Sequence, residues 1–409
     1  MGENMAALLI KDPSQVVSPR PGSLRGPELA DLHIRTGDSV YITDGVIEAI
    51  APFRELENRA LTDDAVIIDA SNRAIVPGFI DSHTHLIFGG DRTDEFAMRT
   101  AGASYEEIAA RGGGIARTVA ATRAASKAEL KDLARLRLNR VIRQGTTTME
   151  VKTGYGLDPE TEMKMLEVIK ELNDEHPVDL IPTFLGAHSV PSSMTKEDYI
   201  AQLREMLPEA ARLAKFCDVF CEQGYFNPAE SYVILEAARN AGMLPRMHAN
   251  QFHSVGCIEA AVDIEAVSVD HLEVLHMDEI SRLADTDIAC VMLPGVSLFL
   301  DIPFAPGRDI IDAGCIPVLA TDFNPGSNMS LSLQLTMSLA CTRMGVSVPE
   351  ALACTTQNAA FALKLDNVGC IEPGWQADLV ILDCSDYREM AYFYGENHAY
   401  AVIKNGGLV

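Results

Sequence analysis

A (β/α)8 barrel of TIM-like type, joined to a small β-sandwich domain built from both chain ends, is the fold that this sequence predicts, on three observations. From Ile75 onward, eight short apolar strand candidates alternate with helix-patterned segments. The residues before and after that stretch read as short strands and turns. Histidine and aspartate recur where the strand candidates end, which is where barrels assemble their active sites.

The eight candidates span residues 75–81, 146–152, 179–187, 217–222, 244–248, 266–270, 288–293 and 316–321. Most are near-continuous apolar runs, as strands covered on both faces should be. Helical patterns fill intervals such as 127–144, 159–175 and 228–241, and these three open with Ser, Asp-Pro and Asn-Pro start signals. Repeated strand–helix units imply a parallel sheet that closes on itself.

The N-terminal residues 1–73 hold a strand–turn–strand pattern at 40–47 and a short strand at 65–68. After the barrel, 377–383 and 401–403 return to strand texture. The expectation is a composite β-rich domain of 1–73 with 368–409, around a catalytic barrel of 74–367.

Charge and cysteine usage narrow the function. Lys and Arg number 33 against 58 Asp and Glu, a formal charge of −25. Such a surface repels phosphate backbones and anionic lipid, so nucleic acid and membrane are excluded as partners. The nine cysteines include no C-x-x-C pair and read as buried thiols of a reducing cytoplasm. No run approaches the ~20 apolar residues of a membrane span. A small-molecule substrate is the expected partner, with a homodimer as the expected assembly.

The strongest local signal is Asp81-Ser82-His83-Thr84-His85 at the end of the first strand candidate. Residues two apart on a strand face the same way, so both imidazoles can reach one ion. His248, His271 and Asp322 occupy the same topological place on later strands. Imidazoles and a carboxylate suit Zn2+ or Fe2+, one divalent ion per subunit, with coordination left open for water. The expected chemistry is attack of activated water on a planar electrophilic carbon. Arg92 has the fork to grip a carboxylate, although an ion pair with Asp91, Asp94 or Glu95 competes with that reading.

The run Val76-Pro77-Gly78-Phe79-Ile80-Asp81-Ser82-His83-Thr84-His85 resembles the opening motif of the amidohydrolase superfamily. Gly89 to Phe96, Glu150 to Leu157, Leu185 to His188 and Asp322 to Ser327 resemble the imidazolonepropionases more closely, and that resemblance covers nearly the whole chain. It implies hydrolysis of a cyclic amide C–N bond in histidine degradation, converting 4-imidazolone-5-propanoate to N-formimidoyl-L-glutamate. It implies His83, His85, His248 and Asp322 as metal ligands, with His271 an active-site histidine outside that set. On residue chemistry, His271, Asp322 and His188 are the expected catalytic groups, His188 polarising the ring carbonyl together with the metal. Arg92, Tyr155, His188, Gln251 and Ser327 match substrate-binding positions, and Asn324 and Gly326 match positions that hold the opened product.

Some members of the family, and the deaminases of the superfamily, carry Glu three residues after the fifth-strand histidine. Here that residue is Gln251, whose amide cannot take a proton at neutral pH. This weighs against a deaminase, while retention of every metal-ligand type weighs against an inactive scaffold. The Arg111-Gly112-Gly113-Gly114 run lacks the Gly-Lys-Ser/Thr of a phosphate loop and reads as a flexible loop, a candidate lid over the site.

Overall fold

The computed structural model describes residues 7–102 and 113–409. Arg111 and Gly112 of the expected lid lie outside the described residues.

Eight parallel strands form the centre, in the order in which they occur along the chain. They are Phe79–Asp81, Thr146–Lys152, Asp179–Ala187, Phe216–Cys221, Leu244–Ala249, Ser268–His271, Ala289–Met292 and Ile316–Leu319. The sheet closes just beyond the strand ends. Asp322 N–H donates to the His83 carbonyl at 2.9 Å, and His85 N–H to the Phe323 carbonyl at 2.9 Å. The Asp81 carboxylate reinforces the seam, accepting from Thr321 N–H at 3.0 Å and from its hydroxyl at 2.6 Å. Closure therefore runs through the residues that carry the candidate chemistry.

Several barrel helices start where a side chain satisfies one of their first free N–H groups. Ser126 caps Lys127–Val141 in a capping box with Glu129, Asp158 caps Pro159–Glu175, and Asn227 caps Pro228–Asn240 in a box with Glu230. Beyond Val141 the first of these tightens into a 3-10 turn, Ile142–Gln144.

Both chain ends build a β-sandwich. One sheet orders Val46–Ala51, Ser39–Thr43, Leu8–Lys11 and Val66–Asp69. The other orders Gly407–Leu408, Ala399–Lys404, Leu379–Leu382, Ala74–Pro77, Gln15–Ser18 and His33–Arg35. Leu8, Ile10 and Ile42 of the first sheet pack with Val16, Ile75, Leu379 and Ile381 of the second.

Two expectations need correction. The stretch 75–81 is two strands, because Ala74–Pro77 pairs with Leu379–Leu382 and belongs to the sandwich, while Phe79–Asp81 belongs to the barrel. Gly78 makes the break, at a point where an added Cβ would lie 2.3 Å from Thr147 Oγ1. The N-terminal region also holds a helix, Phe53–Thr62, where only strands and turns were expected. Among the described residues no helix is long and apolar enough to cross a membrane.

Candidate active site

The ends of the first, fifth and sixth strands and the turn after the eighth bring four imidazoles and a carboxylate together. Ring centroids of His83 lie 4.5 Å from His248 and 5.6 Å from both His85 and His271. Asp322 Oδ1 lies 3.5 Å from His83 Nε2 and 3.4 Å from His85 Nε2. All five side chains are buried. The backbone bends sharply to aim them, since Asp322 has φ +49° and His271 has φ +90°, conformations that cost energy outside glycine.

Donor atoms of His83, His85 and His248 lie within 4.8 Å of one another, and so do those of His83, His271 and Asp322. His83 Nε2, His248 Nε2 and Asp322 Oδ1 are buried without a hydrogen-bond partner. Orphaned polar atoms at such depth are costly, and one divalent cation would satisfy these together. The residues present therefore fit a metal ion. Burial, helped by Lys152 for His83 and by His188 for His85, pushes these imidazoles well down, and burial lowers His248 too; all are neutral, as ligation requires. Burial pushes the Asp322 carboxyl up to about 7 against the pull of His271, and a neighbouring cation would favour its charged form.

Beneath the cluster lies a charged layer that the sequence analysis did not single out. The Asp270 carboxylate accepts from His83 Nδ1 at 2.7 Å, and Asp218 Oδ2 lies 3.0 Å from His248 Nδ1. These carboxylates turn both rings so that Nε2 faces the cluster. Lys152 Nζ donates to Asp218 and Glu150, each at 2.8 Å, and lies 3.6 Å from Asp270. Arg246 donates to Asp270 at 3.0 Å and to the Ser82 carbonyl at 2.9 Å. Although burial opposes it, the surrounding carboxylates raise the Lys152 ammonium above its usual range. The signal was present: a charge inside a fully buried or nearly fully buried strand, in Thr146–Lys152, Phe216–Cys221, Leu244–Ala249 and Ser268–His271, needs a partner there.

His271 has a partner of its own, with Nδ1 3.4 Å from the buried carboxylate of Glu273. Burial would lower this imidazole, but Glu273, Asp322 and Asp270 raise it instead. His188 stacks on His85 at 5.1 Å and 22°, and its Nδ1 lies 3.1 Å from the Gly154 carbonyl. A carbonyl only accepts, so Nδ1 carries the hydrogen and Nε2 is a bare acceptor. Burial and His248 push the ring down to about 3, which keeps it neutral.

Tyr155 lies 5.7 Å from His85 and 5.4 Å from His188 between ring centroids, and burial holds its phenol protonated. Buried Glu162 sets this loop, accepting from the N–H groups of Gly154, Gly156 and Leu157 at 3.0, 2.7 and 2.8 Å. Gln251 is buried in the loop after the fifth strand. Asn324 organises the following turn, its Oδ1 accepting from Gly326 and Ser327 N–H at 2.8 Å each. Ser327 Oγ donates to Asp322 Oδ2 at 3.4 Å.

Arg92 adopts the competing ion pair, donating from Nε to Glu95 at 2.8 Å. Its outer nitrogens remain directed elsewhere, and Nη1 lies 2.4 Å from the position a Cβ on Gly326 would take. Arg92 thus borders both the Asn324–Ser327 turn and a small cavity shared with Phe96, Phe299 and Pro325.

The sequence pattern of the amidohydrolase family matches residues 74–409. The chain is a member of the amidohydrolase family.

This amidohydrolase is 44% identical over 407 residues to the imidazolonepropionase of Rubrobacter xylanophilus, covering 98% of each chain. It is 43% identical over 417 residues to that of Geobacillus kaustophilus, covering 99% of this chain and 98% of the other. With the imidazolonepropionase of Bacteroides fragilis it shares 42% over 415 residues and 99% of both chains. Within the family, then, the amidohydrolase sits among the imidazolonepropionases. Among solved structures, guanine deaminase of E. coli matches with a TM-score of 0.73 at 15% identity over 98% of both chains. A mutant atrazine chlorohydrolase of Arthrobacter aurescens matches at 0.74 and 18%, covering 98% of this amidohydrolase and 94% of the other chain. Those two likenesses concern the fold alone.

Proposed function

We propose that this amidohydrolase opens the ring of 4-imidazolone-5-propanoate by hydrolysing its cyclic amide, releasing N-formimidoyl-L-glutamate. The observation that carries the proposal is the set of buried, unpartnered donors on His83, His248 and Asp322, in a chain 42–44% identical to imidazolonepropionases along its whole length.

His83, His85, His248 and Asp322 would hold one Zn2+ or Fe2+ ion, which supplies Lewis acidity, lowering the pKa of water toward ~7 and polarising a carbonyl. His271, backed by Glu273, accepts the proton of the attacking water. Asp322 relays that proton from His271 to the ring nitrogen as the C–N bond breaks, so the amidine nitrogen leaves neutral. The tautomer of His188 argues against the expectation that it polarises the ring carbonyl. Its free Nε2 accepts, so its partner is a substrate ring N–H or the attacking water.

Arg92 and Tyr155 bind the propionate, Arg92 through the guanidinium nitrogens that Glu95 leaves free. Gln251 orients a ring nitrogen, Ser327 steadies Asp322, and Asn324 and the Gly326 backbone hold the opened chain. The decisive assay follows the ultraviolet absorbance of freshly made imidazolonepropionate, with and without chelator, and identifies the product by mass. Chelator-sensitive formation of N-formimidoyl-glutamate is expected. Absence of turnover by metal-loaded protein would overturn the proposal.

A further inference from the structure

Far along the chain from the barrel histidines, Asp383, Cys384 and His398 bring a carboxylate, a thiol and an imidazole to one point of the sandwich. Their donor atoms all lie within 4.8 Å of one another. The fold makes this meeting, because Asp383 and Cys384 follow strand Leu379–Leu382, His398 precedes strand Ala399–Lys404, and the two strands pair antiparallel. Asp383 N–H donates to the His398 carbonyl at 2.9 Å, holding the two residues side by side.

His398 Nε2 lies 3.4 Å from the Phe393 carbonyl, while Nδ1 lies 2.8 Å from Asp383 Oδ1. A carbonyl oxygen only accepts, so Nε2 carries a hydrogen, and in the neutral ring Nδ1 is then a lone pair facing a carboxylate oxygen. Either a proton or a metal ion lying between the two would satisfy both. One ring nitrogen donating to a backbone carbonyl while the other faces acidic donors is the usual setting of a metal-bound histidine.

The thiol adds a soft donor. Cys384 is buried, with one weak contact of 3.5 Å to the Asp386 carbonyl. The Glu389, Asp383 and Asp386 carboxylates stand near it, so this pocket concentrates negative charge. Arg388 offsets part of it by pairing with Asp386 at 2.9 Å. Asp383 is half exposed and opens the pocket to solvent.

We propose that Asp383, Cys384 and His398 form a second metal site, selective for a thiophilic divalent cation of the Zn2+ class, with water completing the shell. Carboxylate, thiolate and imidazole are the donors that this class takes. Binding releases the thiol proton to solvent. The bound ion staples the 383–398 excursion, including helix Glu389–Tyr392, across two strands of the sandwich. It takes no part in the barrel chemistry.

Co2+ added to the full-length protein tests this, because the barrel donors are nitrogen and oxygen only. A thiolate-to-cobalt charge-transfer band in the near ultraviolet is expected to grow with a second equivalent of Co2+. Cys384→Ser should abolish that band and that equivalent while leaving turnover unchanged. Asp383→Asn, at a half-exposed position, should weaken the band's apparent affinity about tenfold or more. The proposal falls if saturating Co2+ gives no band, or if the band survives in Cys384→Ser. Unaltered affinity in Asp383→Asn overturns it equally, and that variant decides the matter should Cys384→Ser fold poorly.

Discussion

Lys152 Nζ lies 2.8 Å from Asp218 Oδ2, and neither side chain reaches solvent. Asp218 in turn faces His248 Nδ1 and Asp270 holds His83 Nδ1, so one ammonium supports the carboxylates behind two candidate ligands. Lys152→Met takes the ammonium from buried Glu150 and Asp218, while Asp270 keeps Arg246. The expected result is a loss of about 3–5 kcal/mol in denaturant unfolding and metal retention weakened about 10- to 100-fold. Metal analysis after dialysis checks the second effect. Full metal content in a destabilised variant would reduce Lys152 to a structural ion pair.

Asp322→Asn removes the carboxylate charge and its ability to relay a proton while keeping the side chain's shape. Turnover should fall by about 100-fold or more. A variant retaining both its metal and full kcat would exclude Asp322 from proton transfer.

Arg92→Ala should raise KM about 100-fold, the order expected for losing about 3 kcal/mol of charge-assisted binding, with metal content unchanged. Gly326→Ala is the subtler probe. Its Cβ would collide with Arg92 Nη1, the mobile end of a long side chain, so the chain can yield without unfolding. KM should rise while Tm hardly moves. An unchanged KM in both variants would leave Arg92 with Glu95 as its sole partner.

Removing the metal should lower Tm, because an ion that binds only the folded chain stabilises it by about 4 kcal/mol at a thousandfold excess over Kd. Calorimetry with and without chelator, followed by readdition of Zn2+ or Fe2+, measures this. Identical melting curves would mean that the buried histidines do not hold an ion.

The barrel was legible because its strands are apolar runs of the right length, bounded by capped helices whose start signals are single residues such as Ser126 and Asn227. The candidate residues were legible where position and residue type coincide, as at His83, His85 and Asp322. Less legible was what lies one layer deeper. Glu150, Lys152, Asp218, Arg246 and Asp270 come from four strands, and only closure of the sheet brings them together. The hydrogen-bonded tautomer of His188 depends on a carbonyl 34 residues away in the chain. The split at Gly78 was hidden because Ala74 to Ile80 reads as one buried, near-continuous apolar run, and only the partners on either side of Gly78 differ.

That split has a consequence for how the chain comes into being. Ala74–Pro77, one residue ahead of the first barrel strand, finds a neighbour in Leu379–Leu382, which leaves the ribosome some three hundred residues later. During synthesis the N-terminal strands wait with one flank of their backbone open, a template for adhesion between nascent chains. The chain must be translated through Ala399–Lys404 before the sandwich can shut, and the barrel's first strand is tethered to it throughout. Holding factors that cover exposed strand edges should therefore matter most for this protein until residues 379–408 emerge, since a pause or truncation near residue 380 would leave the six-stranded sheet without three of its strands.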